Sequence, residues 1–407
     1  MDRSGRATAA ASAGTAEVAD EGGLESAASP ARPERFPCLD GVRALAALTV
    51  VLTHVGFQTG EAVSGPFRTV LARFDAGVAV FFVLSGFLLH RPQAVAALRG
   101  LPLPAVRPYL WRRALRVLPG YWLAVALAAA AVPAVRALST GALLRQLTLT
   151  TIYTGTEQVR GLTQVWSLCT EVSFYLALPL LGRLVARRGL RGQLVLCGAL
   201  YAVALAWQDV VAHGHLPPHL GYWLPGHLDW FALGMALAAL SAAGARVLDQ
   251  VADDAGTCWL GAAALFAVAG TPLTGPYGLA LLSPSQTLSR SVLYGLVAVL
   301  LVLPAVAGDP GRGPVRALLR SRPAEFLGRV SYGVFLLHLV VLDVALRVLH
   351  VPVFTGRMPL VLAVVLPVSV LLAWGSLLLV EQPALRFKDR FRDRAPDPAP
   401  GPVPATG

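Results

Sequence analysis

The chain has 407 residues, of which 55% are hydrophobic and only 14% charged, with a mean hydropathy of +0.61. A water-soluble domain carries nearer a quarter of charged residues, so the composition excludes one and points to a polytopic membrane protein with one domain taking most of the chain. The formal charge of +11 does not mark a nucleic-acid binder, because the cations lie in short runs between apolar segments, where they report topology.

Residues 1–35 are mainly Ala, Ser, Gly, Glu and Arg. Asp20, Glu21 and Glu25 stand where a secretory signal would carry its apolar core, so this segment reads as a disordered N-terminal tail. Ten segments then approach the ~20 mainly apolar residues that a spanning helix needs. They are 40–58, 75–95, 117–136, 165–185, 193–212, 225–243, 258–275, 290–307, 330–349 and 359–380. The stretch 142–153 is too short and polar to span, and reads as an interfacial helix or part of an outer loop. From Ala395 the chain is rich in Pro and Ala; the membrane domain is expected over 36–390 and a second disordered tail over 391–407.

The predicted fold is therefore all-α, a transmembrane helical bundle of about ten spans. With the N-terminus inside, 25 of the 34 Lys and Arg residues fall in inner segments and eight in outer ones, Arg43 being the remainder. That bias predicts an even number of spans with both termini cytoplasmic, in a multi-pass protein of the plasma or inner membrane. No internal repeat of the kind that builds many transporters is visible. Cys38, Cys169, Cys197 and Cys258 form no CxxC pair and lie in or beside apolar segments, so they read as buried free thiols rather than a disulfide or zinc framework.

The first span, GVRALAALTVVLTHVGF, holds Arg43 and His54 eleven residues apart. At ~100° per residue the two share one helix face, about 16 Å apart along the axis. Ionisable groups at that depth mark a function or a partner. Glu171, in the fourth span, and Asp229, at the start of the sixth, are placed by residue counting at about the depth of His54. A His and a carboxylate in a dry site can form a general base with its orienter, the carboxylate fixing the tautomer. Asp229 is better read as a structural partner for a neighbouring helix.

Arg113 and Arg116 stand at i and i+3, where an inner loop meets the third span. They read either as inner-face anchors or as a clamp whose two guanidinium forks hold the phosphates of a cytoplasmic donor. His338 lies midway along the ninth span, and Trp166 near the outer interface. Ser85 and Gly86 suit close helix packing. His213, His215 and His219 lack an Asp, Glu or Cys to complete a metal set, and no metal site is expected.

In order along the chain stand LDGVRALAALTVVLTHVG, GVAVFFVLSGFLL, RRALRVLPGYW, WSLCTEVSFYLALPLL, SYGVFLLH and VEQPALRF. This series resembles the acyltransferase-3 family of integral-membrane O-acyltransferases over about 36–390. The resemblance implies His54 as catalytic histidine with Arg43 as its motif partner, Arg113 and Arg116 at the acyl donor, and Glu171 as the acidic residue of the Trp-Ser-Leu-x-x-Glu element. Tyr121, Trp166 and His338, in the same motifs, join Arg43, Arg113 and Arg116 as expected substrate-binding residues.

It further implies acyl-CoA as co-substrate, no permanently bound cofactor, and a hydroxyl of a carbohydrate or glycosylated metabolite as acceptor of a short acyl group. His54, oriented by Glu171, would take the hydroxyl proton, with direct transfer preferred over an acyl-histidine intermediate. The expected partners are acyl-CoA, the sugar-bearing acceptor and the lipid bilayer, with no nucleic acid. A proton-coupled transporter or exporter is the alternative reading of the same intramembrane groups, and a membrane scaffold or sensor a third.

Overall fold

The computed structural model describes residues 36–155, 158–278 and 280–390; the two predicted tails lie outside them. Among the described residues there are helices and no strand. Helices of eight residues or more are α1 (Leu39–Thr59), α2 (Gly77–Leu98), α3 (Val106–Ala131), α4 (Thr140–Leu147), α5 (Val165–Val185) and α6 (Leu190–Ala212). They continue with α7 (Leu228–Ala242), α8 (Arg246–Asp253), α9 (Ala255–Ala269), α10 (Pro284–Val306), α11 (Arg322–Val348) and α12 (Met358–Ser376).

All ten predicted spans are helical, but eight qualify on their own as long and apolar enough to cross a membrane. The segment containing α7 does so only together with α8, from which it is bent by 110°. The predicted span 258–275 ends early, as the 15-residue α9. At 1.5 Å per residue α9 rises about 22 Å, short of the ~30 Å hydrocarbon core. Gly270 and the Thr271–Pro272 turn stop it. The stretch around 142–153 forms the eight-residue α4, capped by the Ser139 side chain on the Ala142 amide.

Two helices begin earlier than their apolar runs. α3 starts at Val106, so Arg113 and Arg116 lie on helix rather than loop. α11 starts at Arg322, where the Ser321 hydroxyl accepts from the Ala324 amide. Helix N-terminal amides need such acceptors, and the polar first turns that supply them fall outside any hydropathy window.

Close approach of α2 and α7 depends on small residues. A Cβ at Gly86 would stand 2.3 Å from the Phe231 carbonyl oxygen, and one at Gly234 2.1 Å from that of Val83. Only glycine allows the two backbones this near. α1 packs against α11 and α2, and α11 against α12. All four cysteines are buried and unpaired.

Two arginines expected to be topology charges in loops are fully buried. Arg316 Nε donates to the Pro304 carbonyl at 2.9 Å and Nη1 to that of Asp253 at 3.1 Å, while Nη2 serves Ala252 and Ala307. At the opposite end of α9, Arg73 donates to the Ala269 and Gly275 carbonyls and lies 4.9 Å over the Tyr277 ring. The last carbonyls of a helix have no intrahelical donor, and here a guanidinium supplies one. Asp229 likewise accepts from the Ser291 hydroxyl, tying α7 to α10.

Replacing Arg316 by Met removes the donor from five carbonyls at once. The Arg316→Met protein should lose on the order of 3 kcal/mol of stability. Thermal unfolding in detergent checks this, and an unchanged midpoint would refute the clamp.

Candidate active site

A cavity opens between α1, α2, α3, α5 and α11. Arg43, Arg113, Arg116 and Glu171 all line it, so four residues from three separate motifs meet in one place. Arg43 is paired with Asp40 one turn away, at 3.2 Å. Arg116 reaches Glu381 at 3.5 Å and lies 5.9 Å over the Tyr332 ring. Among the described residues Arg113 forms no ion pair, and its Nε is buried without a partner. The cavity thus carries three guanidiniums against one lining carboxylate, Glu171, which suits an anionic ligand.

Glu381 was not singled out from sequence, although it is a lone acid in an apolar stretch. It is 1% exposed and ends a π-helical turn, Leu377–Glu381, that extends α12. The extra residue in that turn swings the carboxylate inward, where Ser376 also donates to it at 3.1 Å. Gly120 on α3 leaves room for it, since a Cβ there would lie 3.4 Å from the Glu381 side chain.

The expected pairing of His54 with Glu171 does not form. Glu171 accepts a hydrogen bond from the Ser85 hydroxyl, so Ser85 does more than pack. A Cβ on Gly77 would stand 2.5 Å from Thr49 Oγ1, which fixes the register of α2 on α1. Ser85 lies eight residues further along α2, about 12 Å toward the Arg43 end. Glu171 is consequently level with Arg43, and about 16 Å along the bundle from His54. Counting from predicted helix ends gave a depth but no register between helices.

The partner of His54 is His338. Its Nε2 lies 3.1 Å from His54 Nδ1, with ring centroids 5.0 Å apart. His338 is completely buried, and its Nδ1 faces the Val334 and Phe335 carbonyls at 3.1 and 2.8 Å. Carbonyls only accept, so that nitrogen carries the proton and His338 Nε2 carries a lone pair. His54 Nδ1–H must then be the donor, shared between His338 Nε2 and the Val50 carbonyl at 2.9 Å. This leaves His54 Nε2 as a free lone pair. It has no partner among the described residues and, unlike the ring nitrogens of His90 and His227, it is not occluded. His338, expected to bind substrate, instead positions His54.

The cavity reaches toward this pair. Val78 and Phe335 line its far end, and the Phe81 and Phe335 rings meet there edge to face at 6.0 Å. Phe335 lies 6.2 Å from the His338 ring, so one aromatic layer separates cavity from histidines. Trp166 does not line this cavity; it lines a second one, with Tyr222 and Arg145. Tyr121 lines neither. It is fully buried, and its hydroxyl donates to the Gln146 carbonyl, fastening α3 to α4. Among the described residues no group of three or more His, Cys, Asp or Glu could hold a metal ion.

The acyltransferase-domain family known as acyltransferase-3 matches residues 36–376. The exopolysaccharide production protein ExoZ of Rhizobium meliloti (strain 1021) is 27% identical over 333 residues, covering 76% of this chain and 89% of that protein. No solved structure matches the chain.

The hydrogen-bond pattern makes a prediction independent of any activity. In protein labelled with ¹⁵N-histidine, both His54 and His338 should show the Nδ1–H tautomer by NMR. An Nε2–H signal from His338 would reverse the pair and remove the free base from His54.

Proposed function

The chain belongs to the acyltransferase-3 family, and from this premise we propose that it moves an acyl group from cytoplasmic acyl-CoA to a hydroxyl of a carbohydrate or glycosylated metabolite. It is a multi-pass membrane acyltransferase. The observation that carries the finer reading is the cavity walled by Arg43, Arg113 and Arg116, where Arg113 keeps a buried Nε without a partner, running toward His54. An elongated donor with phosphates at one end and a thioester at the other fits a site whose cations and base lie about 16 Å apart along α1. The name of the relative from Rhizobium meliloti refers to exopolysaccharide production, which favours a saccharide acceptor.

In this mechanism the donor phosphates rest on Arg113 and Arg116, with Glu381 and Tyr332 holding Arg116 in place. Glu171 keeps the guanidinium cluster from accumulating unbalanced charge and is itself held by Ser85. The thioester passes the Phe81 and Phe335 rings to reach His54. The acceptor hydroxyl attacks the thioester carbonyl as His54 Nε2 takes its proton. A carbon–oxygen bond forms, the carbon–sulfur bond breaks, and the proton passes from His54 to the departing thiolate. His338 holds the His54 ring in the required tautomer and accepts from its Nδ1–H as charge develops, the role assigned at the outset to Glu171. CoA acts as co-substrate, and the chain's own residues supply all the proton transfers. The cytoplasmic orientation of the arginine-rich loops, which this route needs, follows from the bias in loop charge.

His54→Ala should abolish transfer of label from radiolabelled acetyl-CoA to extract-derived acceptors, while the protein remains folded and inserted. Near-normal transfer in that variant would refute the base assignment. Arg113→Ala should raise the apparent KM for acyl-CoA by about tenfold, leaving that for the acceptor within twofold. A change confined to the acceptor would reassign the arginine.

A further inference from the structure

The second cavity has features that donor binding leaves unused. The Trp166 and Tyr222 rings form one wall, with centroids 5.2 Å apart, and Gln146, Gln158 and Thr151 add polar groups. Two loops build it, and hydrogen bonds lock them together. Trp223 Nε1 donates to the Ile152 carbonyl at 2.9 Å, and the Thr170 hydroxyl donates to that of Tyr222 at 2.6 Å. At the head of α5, Gln164 Nε2 donates to the Leu336 carbonyl at 2.8 Å, which fixes Trp166 against α11. The shape is therefore preformed. Aromatic faces bordered by amides and hydroxyls suit a sugar ring, whose C–H face stacks while its hydroxyls find hydrogen bonds.

Arg145 adds a charge. Its Nε is buried without a partner, and no described carboxylate forms an ion pair with its guanidinium. A cation so placed favours a ligand that brings the missing anion.

The cavity also adjoins the donor site. Trp166 faces one cavity and its neighbour Ser167 the other. The ring of Phe82, which lines the donor cavity, lies edge-on to Trp166 at 6.4 Å. His227 packs into this wall, 5.1 Å from Trp166 and 5.6 Å from Phe82, with both ring nitrogens occluded and unpartnered.

We propose that this cavity binds the acceptor, a glycosyl unit bearing a carboxylate or phosphate. Its ring stacks on Trp166 and Tyr222, and its anion rests on Arg145. Its reacting hydroxyl points at the Trp166 and Phe82 wall that lies between the two cavities. The proposal rests on the acyltransferase reading and adds the class of acceptor and the place it binds.

The full chain, purified in lipid nanodiscs, tests it by equilibrium binding of methyl glucoside, methyl glucuronide and glucose 1-phosphate, with CoA titrated separately. At least one anionic probe should bind wild type about tenfold more tightly than methyl glucoside. Arg145→Gln should erase that difference while leaving methyl glucoside unchanged, and Trp166→Ala should weaken all three. CoA affinity should stay the same in both variants. The tighter of the two anionic probes identifies the anion. Equal binding of charged and neutral probes, no binding of any, or no effect of Arg145→Gln would overturn the proposal. So would a parallel loss of CoA affinity, because the cavity would not then be a separate site. Failure of wild type to bind CoA would instead sink the donor reading, with the glycoside comparison still decisive.

Discussion

An ionised side chain buried in a helix bundle costs several kcal/mol unless the protein surrounds it with partners, and arginine stays ionised wherever it is placed. Four arginines show two ways of meeting this constraint. Arg316 and Arg73 are wrapped by backbone carbonyls at helix ends, where donors are scarce, and they hold α9 and α10 in register. Arg113 and Arg145 each keep a buried nitrogen without a partner, and both line cavities. Arg316 and Arg73 thus serve the scaffold, whereas Arg113 and Arg145 leave donor capacity on a cavity wall, where an anionic ligand could take it up.

The same logic explains why the charged and catalytic parts of the site are kept apart. The guanidinium cluster sits with Glu171 and Glu381 toward one end of the bundle, where each carboxylate is held by a hydroxyl. The histidine pair sits further along α1 and α11 behind Phe81 and Phe335, away from the guanidinium cluster. A neutral imidazole whose proton is fixed by carbonyls is a base, whereas one beside several guanidiniums would be poorly placed to accept a proton.

Much of the site's membership was legible in the chain. Arg43 and His54 share a helix face because eleven residues nearly complete three turns, and Arg113 and Arg116 share one because they are three apart. These relations lie within one helix, whose geometry the sequence carries. Glu171 was found because a carboxylate in an apolar run is conspicuous. Its assigned partner was wrong because matching two residues in depth requires the register between helices. That register is set by contacts such as Gly77 on Thr49, which no single segment encodes. Tyr121 was taken for a binding residue from its place in a motif, yet it joins α3 to α4. Glu381 went unweighed because a π turn, not the ordinary helical period, turns it inward.

The sequence by itself determined the all-helical class, the positions of the ten apolar segments and the chemical inventory of the site. Hydropathy, helical period and charge bias are properties of short stretches, so they survive without knowledge of the fold. Only the tertiary structure decided which helices touch. That choice gave His54 its partner in His338, joined Arg116 to Glu381 across α3 and α12, and set Trp166 in a cavity of its own. Each of these depends on the rotation and register of one helix against another. Those are fixed by close contacts such as Gly86 on Phe231, which arise only when the whole bundle is assembled.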